Sequence, residues 1–365
     1  MSDTPAPAIL PDVLTPALRK HVDPAAPLPL RNMGARLLVP ASPHDAVCLL
    51  YLLSFDPDEG VREQARKSAE GLPDKIASTA LRDDGAPPAV LGWLAAHLGA
   101  NETFLEMLAL NPATPDEALV EVLRKAPARI AELVAQNQLR LLRCEDLLRA
   151  LLCASQAPRS VIDSAADFAI RSGIYLADVP ALVEAHARIH GDVPHRPPEH
   201  TARSVLQEFP EELARERSDE EEIAEEKRVT LTQRILDMTV AEKIKLATLG
   251  NKEARTILLR DTNKLVAVAA VQSPRITESE IVSLSNSRTV HEDVLRVIYT
   301  NREWLKLYQV KLNLVRNPKT PLPTALRFLP HVRPNDLRDI AKNKNVPHAI
   351  QTGARNLSAR QQLKR

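Results

Sequence analysis

Apolar residues recur along this chain at helical spacing. Val61, Ala65 and Ala69 lie four apart and form one stripe. Ala46 to Leu53 is apolar nearly all round, as expected of a helix enclosed by neighbours. Ahead of the first stripe, Asp56 reads as a helix cap and Pro57 as the first helical residue. Helical patterning runs from about Asp45 to His190 and resumes at Leu231 almost to the end. No stretch alternates convincingly with period two, so the pattern predicts an all-α chain.

A recurring phrase punctuates these helices. Asn111-Pro112-Ala113-Thr114-Pro115, Asn317-Pro318-Lys319-Thr320-Pro321 and Asn343-Lys344-Asn345-Val346-Pro347 share Asn-x-x-[Thr/Val]-Pro, each after an aliphatic stretch. Weaker copies stand at Ser273–Thr277 and Asn286–Val290. In this phrase Asn is expected to end one helix in the left-handed conformation, Thr to cap the next, and Pro to enter its first turn. Thr114 with Glu117 and Thr277 with Glu280 fit a capping box. Apolar positions follow at Leu119 and Val122, at Ile281 and Leu284, and at Leu326 and Leu329. A helix–turn–helix unit of this size cannot bury its own apolar face. The expected architecture is therefore an α-solenoid of stacked repeats, in two lobes.

The phrase aliphatic-Ala-x-Asn-Pro-x-Thr-Pro resembles the bacterial leucine-rich repeat variant, whose arrays alternate α-helices with 3₁₀ helices. Asp56-Pro57 followed by Val61-Arg62 and Ala65 is similar to a phrase of HEAT-like repeats. Both resemblances imply an extended binding surface. Variant-repeat proteins can carry an N-terminal cysteine cluster for an iron–sulfur centre. Cys48, Cys144 and Cys153 form no such cluster, so no cofactor is expected. Cys144 and Cys153 read as small buried hydrophobes.

Composition divides the chain. Residues 1–43 hold nine prolines and read as an extended arm. Residues 44–190 form an acidic helical lobe. Residues 191–228 are a Pro-rich and then acidic linker, whose run from Glu208 to Arg228 fits either a solvated helix or a tether. Residues 229–365 form a basic helical lobe. That lobe carries 24 Lys and Arg against 11 Asp and Glu, while residues 1–228 carry 24 against 36. The overall charge of +1 therefore conceals two opposed halves, which points to mutual contact or to separate partners.

Candidate chemistry follows the basic lobe. Lys252, Arg255, Arg260, Lys264, Arg275, Arg288, Arg302, Arg316 and Lys319 cluster early in it or recur at its turns, and in stacked repeats they would line one edge. Aromatic residues amount to 3%, too few for a stacking platform, and no base-reading motif occurs. His186 and His190 stand at i, i+4, yet His-Glu-x-x-His is absent, and no metal is expected. Nucleophile elbows, phosphate loops and dinucleotide fingerprints are missing, so no catalytic residue is assigned. Trp304, Leu307 and Tyr308 share a helical face and read as core. The N-terminus shows no basic-then-apolar secretory pattern, and Leu265–Val271 falls far short of the ~20 apolar residues of a membrane span. The expectation is a non-catalytic cytoplasmic scaffold for a protein partner, with acidic partners suited to the basic edge. The alternative is binding of nucleic acid or another polyanion by the basic lobe.

Overall fold

The computed structural model describes residues 7–98, 101–124, 126–191, 193–213 and 225–362. It is all-helical, with no strand among the described residues. The chain divides into two compact units, Met1–His195 and Arg196–Arg365.

In the first unit most helices between Leu28 and Gln136 pack on the one two places further along, whereas Arg159–Arg171 packs mainly on its successor Pro180–His190. Pro43–Leu53 packs on Asp74–Leu81, which packs on Glu102–Leu110, which packs on Ala128–Gln136. An offset set runs from Leu28–Ala35 through Glu59–Glu70, Pro88–His97 and Asp116–Leu123 to Glu145–Leu152. Pro43–Leu53 lies between the two sets and touches both, which explains why its sequence is apolar all round; Cys48, Leu49, Leu50 and Leu53 are fully enclosed. Val61, Ala65 and Ala69 are equally enclosed on one stripe of Glu59–Glu70. The cap of that helix is Asp58, whose side chain accepts from the Val61 amide. Asp56, the expected cap, is instead buried in an ion pair with Arg31 and holds the turn by accepting from the Asp58 amide.

Residues 7–43 depart from the expected extended arm. Pro11, Pro16 and Pro29 sit in the first turns of short helices, where a missing N–H costs nothing. Leu14 and Leu18 are buried, and Leu28–Ala35 packs on Pro43–Leu53 and Glu59–Glu70.

The second unit repeats the packing rule. Ala202–Glu208 packs on Val240–Leu249, which packs on Lys264–Val271, which packs on Glu292–Thr300; Glu278–Asn286 packs on Tyr308–Arg316. The expected linker 191–228 is therefore not one continuous connection. Ala202, Val205 and Leu213 are core residues of the second unit, and burying them outweighs the Pro content upstream. The centre of the acidic run, residues 214–224, lies outside the described residues.

Candidate functional site

The recurring phrase forms one structure in all three copies. The Thr114 amide donates to the Asn111 carbonyl, Thr320 to Asn317, and Val346 to Asn343, each closing a four-residue turn. Within each turn the Asn Oδ1 accepts from the amide two residues on, at Ala113, Lys319 and Asn345. This is an Asx turn, and in the first two copies Pro112 and Pro318 at its second position have the required φ already set. Two sequence expectations fail here. The three asparagines are extended, with φ between −73° and −80°, and not left-handed. Thr114 and Thr320 do not cap; Pro115 and Pro321 occupy the cap position, and both threonine Oγ1 atoms are buried with no hydrogen-bond partner among the described residues. The capping box at Thr277 and Glu280 does form.

The Asn side chain has a second task. Asn111 Nδ2 donates to the carbonyls of Leu81 (2.8 Å) and Asp83 (3.1 Å), at the end of an earlier helix. Asn317 Nδ2 donates to Ser285 and Ser287, both at 2.9 Å. Asn251 Nδ2 donates to Glu212 (2.7 Å). Each tie satisfies carbonyls that a helix end leaves open. The same turn occurs at Asp23–Ala26, Asp83–Ala86 and Ala154–Ala157, each followed by a Pro at the cap of the next helix. The Asn-centred pattern missed these copies; a four-residue turn followed by Pro finds them.

The nine expected edge residues separate into three groups. Arg255 is fully enclosed: its Nε and Nη2 donate to the two carboxylate oxygens of Glu280 at 2.9 and 3.0 Å. It belongs to the core, because a guanidinium on the inner stripe of Lys252–Leu258 is stable only with a matched carboxylate. Burial would raise the Glu280 pKa, but hydrogen bonds from Arg255 and Thr277 outweigh it and hold the carboxyl below its ordinary value. Three more cations fasten turns. Arg275 Nη1 donates to Leu249 O (3.1 Å), Lys319 Nζ to Val290 O (2.8 Å), and Arg316 pairs with Asp336 at 3.3 Å. Arg260, Lys264, Arg288 and Arg302 are exposed, with no ion pair among the described residues, and Lys252 is half-buried.

Arg260 has the most distinctive setting. A cavity of about 550 Å³ lies between Glu225–Leu236 and the end of Lys252–Leu258, lined by Val229, Leu236, Ile257, Arg260 and Asp261 among others. A second, of about 280 Å³, is lined by Lys252, Ser283, Leu284 and Thr289. Thr256 and Arg260 line both, so the two adjoin on either side of these side chains. Val229 and Leu236 are 62% and 53% exposed at i, i+7 of one helix face. Asp261 and Glu280 bring no net negative charge, because Lys243 pairs with the first at 2.9 Å and Arg255 with the second.

The first unit holds an arrangement the sequence reading did not assemble. Cys48 Sγ lies 3.7 Å from His44 Nε2, and His44 Nδ1 lies 3.0 Å from Asp83 Oδ2. The order thiol–imidazole–carboxylate is that of a nucleophilic triad. Cys48 nevertheless has no exposed surface, and burial together with the charges of Asp45 and Asp83 pushes its thiol up to about 12. A nucleophile must be a thiolate that substrate can reach, and this one is neither. Cys144 is half-buried and Cys153 exposed, which departs from the expected burial of both; Cys153 follows the last turn of Glu145–Leu152 on its outer side.

His186 and His190 do meet, with ring centroids 4.9 Å apart, and His195 stacks on Tyr175 at 4.3 Å. Burial, followed by the neighbouring His186 and His190, lowers the His195 pKa. Among the described residues no group of three or more His, Cys, Asp or Glu is arranged to hold a metal ion. Trp304 and Tyr308 are half-buried, and none of the described helices is long and apolar enough to cross a membrane. Comparison with protein-family models, curated proteins and solved structures finds nothing that matches this chain.

Proposed function

We propose that this protein is a cytoplasmic, non-catalytic scaffold of the α-solenoid type that binds a protein partner through helix-lined grooves. The carrying observation is the packing of most helices on the next but one, with turns tied to residues 28 to 32 positions earlier by Asn111 and Asn317. Such packing leaves a helix flank open in each unit, and flanks of this kind serve as binding surfaces in repeat proteins. The likeness to variant and HEAT-like repeats points the same way. Exposed aliphatic residues beside a cavity mark contact with a partner. In the first unit a cavity of about 340 Å³ is lined by Met107 and Leu110, and Leu110 is exposed.

The test is affinity capture with the full chain, run in parallel at low and at roughly 0.5 M salt. A protein partner held by apolar contact stays bound when salt is raised and is lost with Leu236→Asp. Capture restricted to nucleic acid, falling steeply with salt, would favour the polyanion alternative and sink the scaffold reading.

A further inference from the structure

The groove of two adjoining cavities around Arg260 carries enough detail to define what fits it. The larger cavity is lined by Val229, Ile235, Leu236 and Ile257 beside polar residues that include Thr232 and Gln233, and Val229 and Leu236 stand two turns apart on the same flank. Large aliphatic side chains left this exposed beside a cavity favour contact with an apolar partner. Between this cavity and the hydroxyl-lined one stands a single guanidinium without an ion pair among the described residues. The two carboxylates in the lining are already engaged, Asp261 by Lys243 and Glu280 by Arg255. The groove therefore presents positive charge bordered by apolar surface, and a guanidinium in such a site binds a carboxylate through two parallel hydrogen bonds.

We propose that this groove receives a segment of a protein partner in which an aspartate or glutamate is flanked by large aliphatic residues. The carboxylate docks on Arg260, and the aliphatic side chains fill the space between Val229, Leu236 and Ile257. Thr256 and Ser283 supply hydroxyl partners for the segment's main chain on the inner side. A purely polyanionic ligand would satisfy Arg260 and leave the aliphatic half empty. This assignment rests on the scaffold reading and names the chemistry of its partner.

A random dodecapeptide library displayed on phage, panned against the full-length protein, tests it directly. The expected enrichment is for acidic residues placed beside Leu, Ile or Val. A selected peptide should lose at least tenfold in affinity for Arg260→Glu and for Leu236→Asp, with Arg260→Gln intermediate. Thermal unfolding of all three variants should match wild type, since both side chains are exposed. Enriched peptides without acids, or undiminished binding to Arg260→Glu, would overturn the proposal. So would peptides displaced equally well by duplex DNA and insensitive to Leu236→Asp. Peptides that depend on Leu110 of the first unit would overturn this groove while leaving the scaffold reading intact. A library that yields no binder to the folded protein would overturn both.

Discussion

Among the described residues each unit encloses one arginine, Arg140 and Arg255, and the two are held differently. In the first unit Arg140 donates to the carbonyls of Asn111, Pro112 and Thr114 at 2.7 to 3.0 Å, and to Asp116 at 3.0 Å. In the second, Arg255 forms a two-point pair with Glu280 and reaches Gly250 O at 3.3 Å. Arg140 thus closes the Asn-Pro-Ala-Thr turn over its own main chain, whereas Arg255 joins two helices through side chains. Burial, with the neighbouring Arg143 charge, lowers the Arg140 pKa more than Asp116 restores it. The contrast teaches that a buried charge can be matched by carbonyls, which no substitution removes, or by a carboxylate, which mutation and acid can both neutralise.

The largest expected effect follows from that difference. Arg140→Met leaves the Pro112 and Thr114 carbonyls without their side-chain donor, while Asn111 O keeps the Thr114 amide and Asp116 keeps Arg143, and it should destabilise the first unit by about 3–5 kcal/mol in urea unfolding. Arg255→Met should cost about as much, because it takes the guanidinium from the buried carboxyl of Glu280. Replacing both Arg255 and Glu280 with apolar residues of similar volume should recover most of the loss. No comparable rescue exists for Arg140, whose partners apart from Asp116 are main chain. If a second substitution at Asp116 restored Arg140→Met fully, the contrast between the two sites would collapse.

Acid offers a subtler probe. Glu280 titrates below its ordinary value of 4.5 in the folded protein. Its contribution is therefore present in full above that value and is lost as pH falls through the lower folded one. The stability gap between wild type and Glu280→Gln should be widest near neutrality and shrink below pH 4.5, measured by denaturant titration at several pH values. The gap between wild type and Arg140→Met should narrow less, since carbonyls do not titrate. A smaller effect is expected at the turn ties: Asn111→Ala and Asn317→Ala should each cost about 1–3 kcal/mol, because each removes a side-chain donor shared by two helix-end carbonyls, one of them buried. Equal stability of wild type and either variant would show that the ties are not structural. The smallest expected change concerns Cys48. Substitution by Ala should be nearly silent in binding, and alkylation of the native protein should label Cys153 well before Cys48, as read by mass spectrometry.

Several of these features were legible in the sequence. The all-α class followed from apolar spacing alone, and the Val61, Ala65 and Ala69 stripe is buried as its period required. The Asn-x-x-Thr-Pro phrase located three turns correctly, yet its mechanism was misassigned. A side chain reaching 28 to 32 residues back leaves no local trace, so Asn111 and Asn317 looked like helix stops. Thr before Pro looked like a cap, as Ser42 before Pro43 is, but these helices begin one residue later and Pro itself takes the cap position. Arg255 and Arg260 are five apart on one segment and indistinguishable by composition. Only the helix phase relative to Glu280, 25 residues away, sends one inward and leaves the other at a groove. Cys48, His44 and Asp83 likewise become neighbours only once Pro43–Leu53 meets the turn after Asp74–Leu81.

The central claim is that the cations of the second unit divide between holding the fold and meeting a partner. Thermal unfolding of Arg255→Met beside Arg260→Glu tests it most directly. At roughly 2–4 °C per kcal/mol for a unit of this size, Arg255→Met should unfold on the order of 6–20 °C below wild type, and Arg260→Glu within about 2 °C of it. Equal losses in the two variants, or a stable Arg255→Met, would contradict that division.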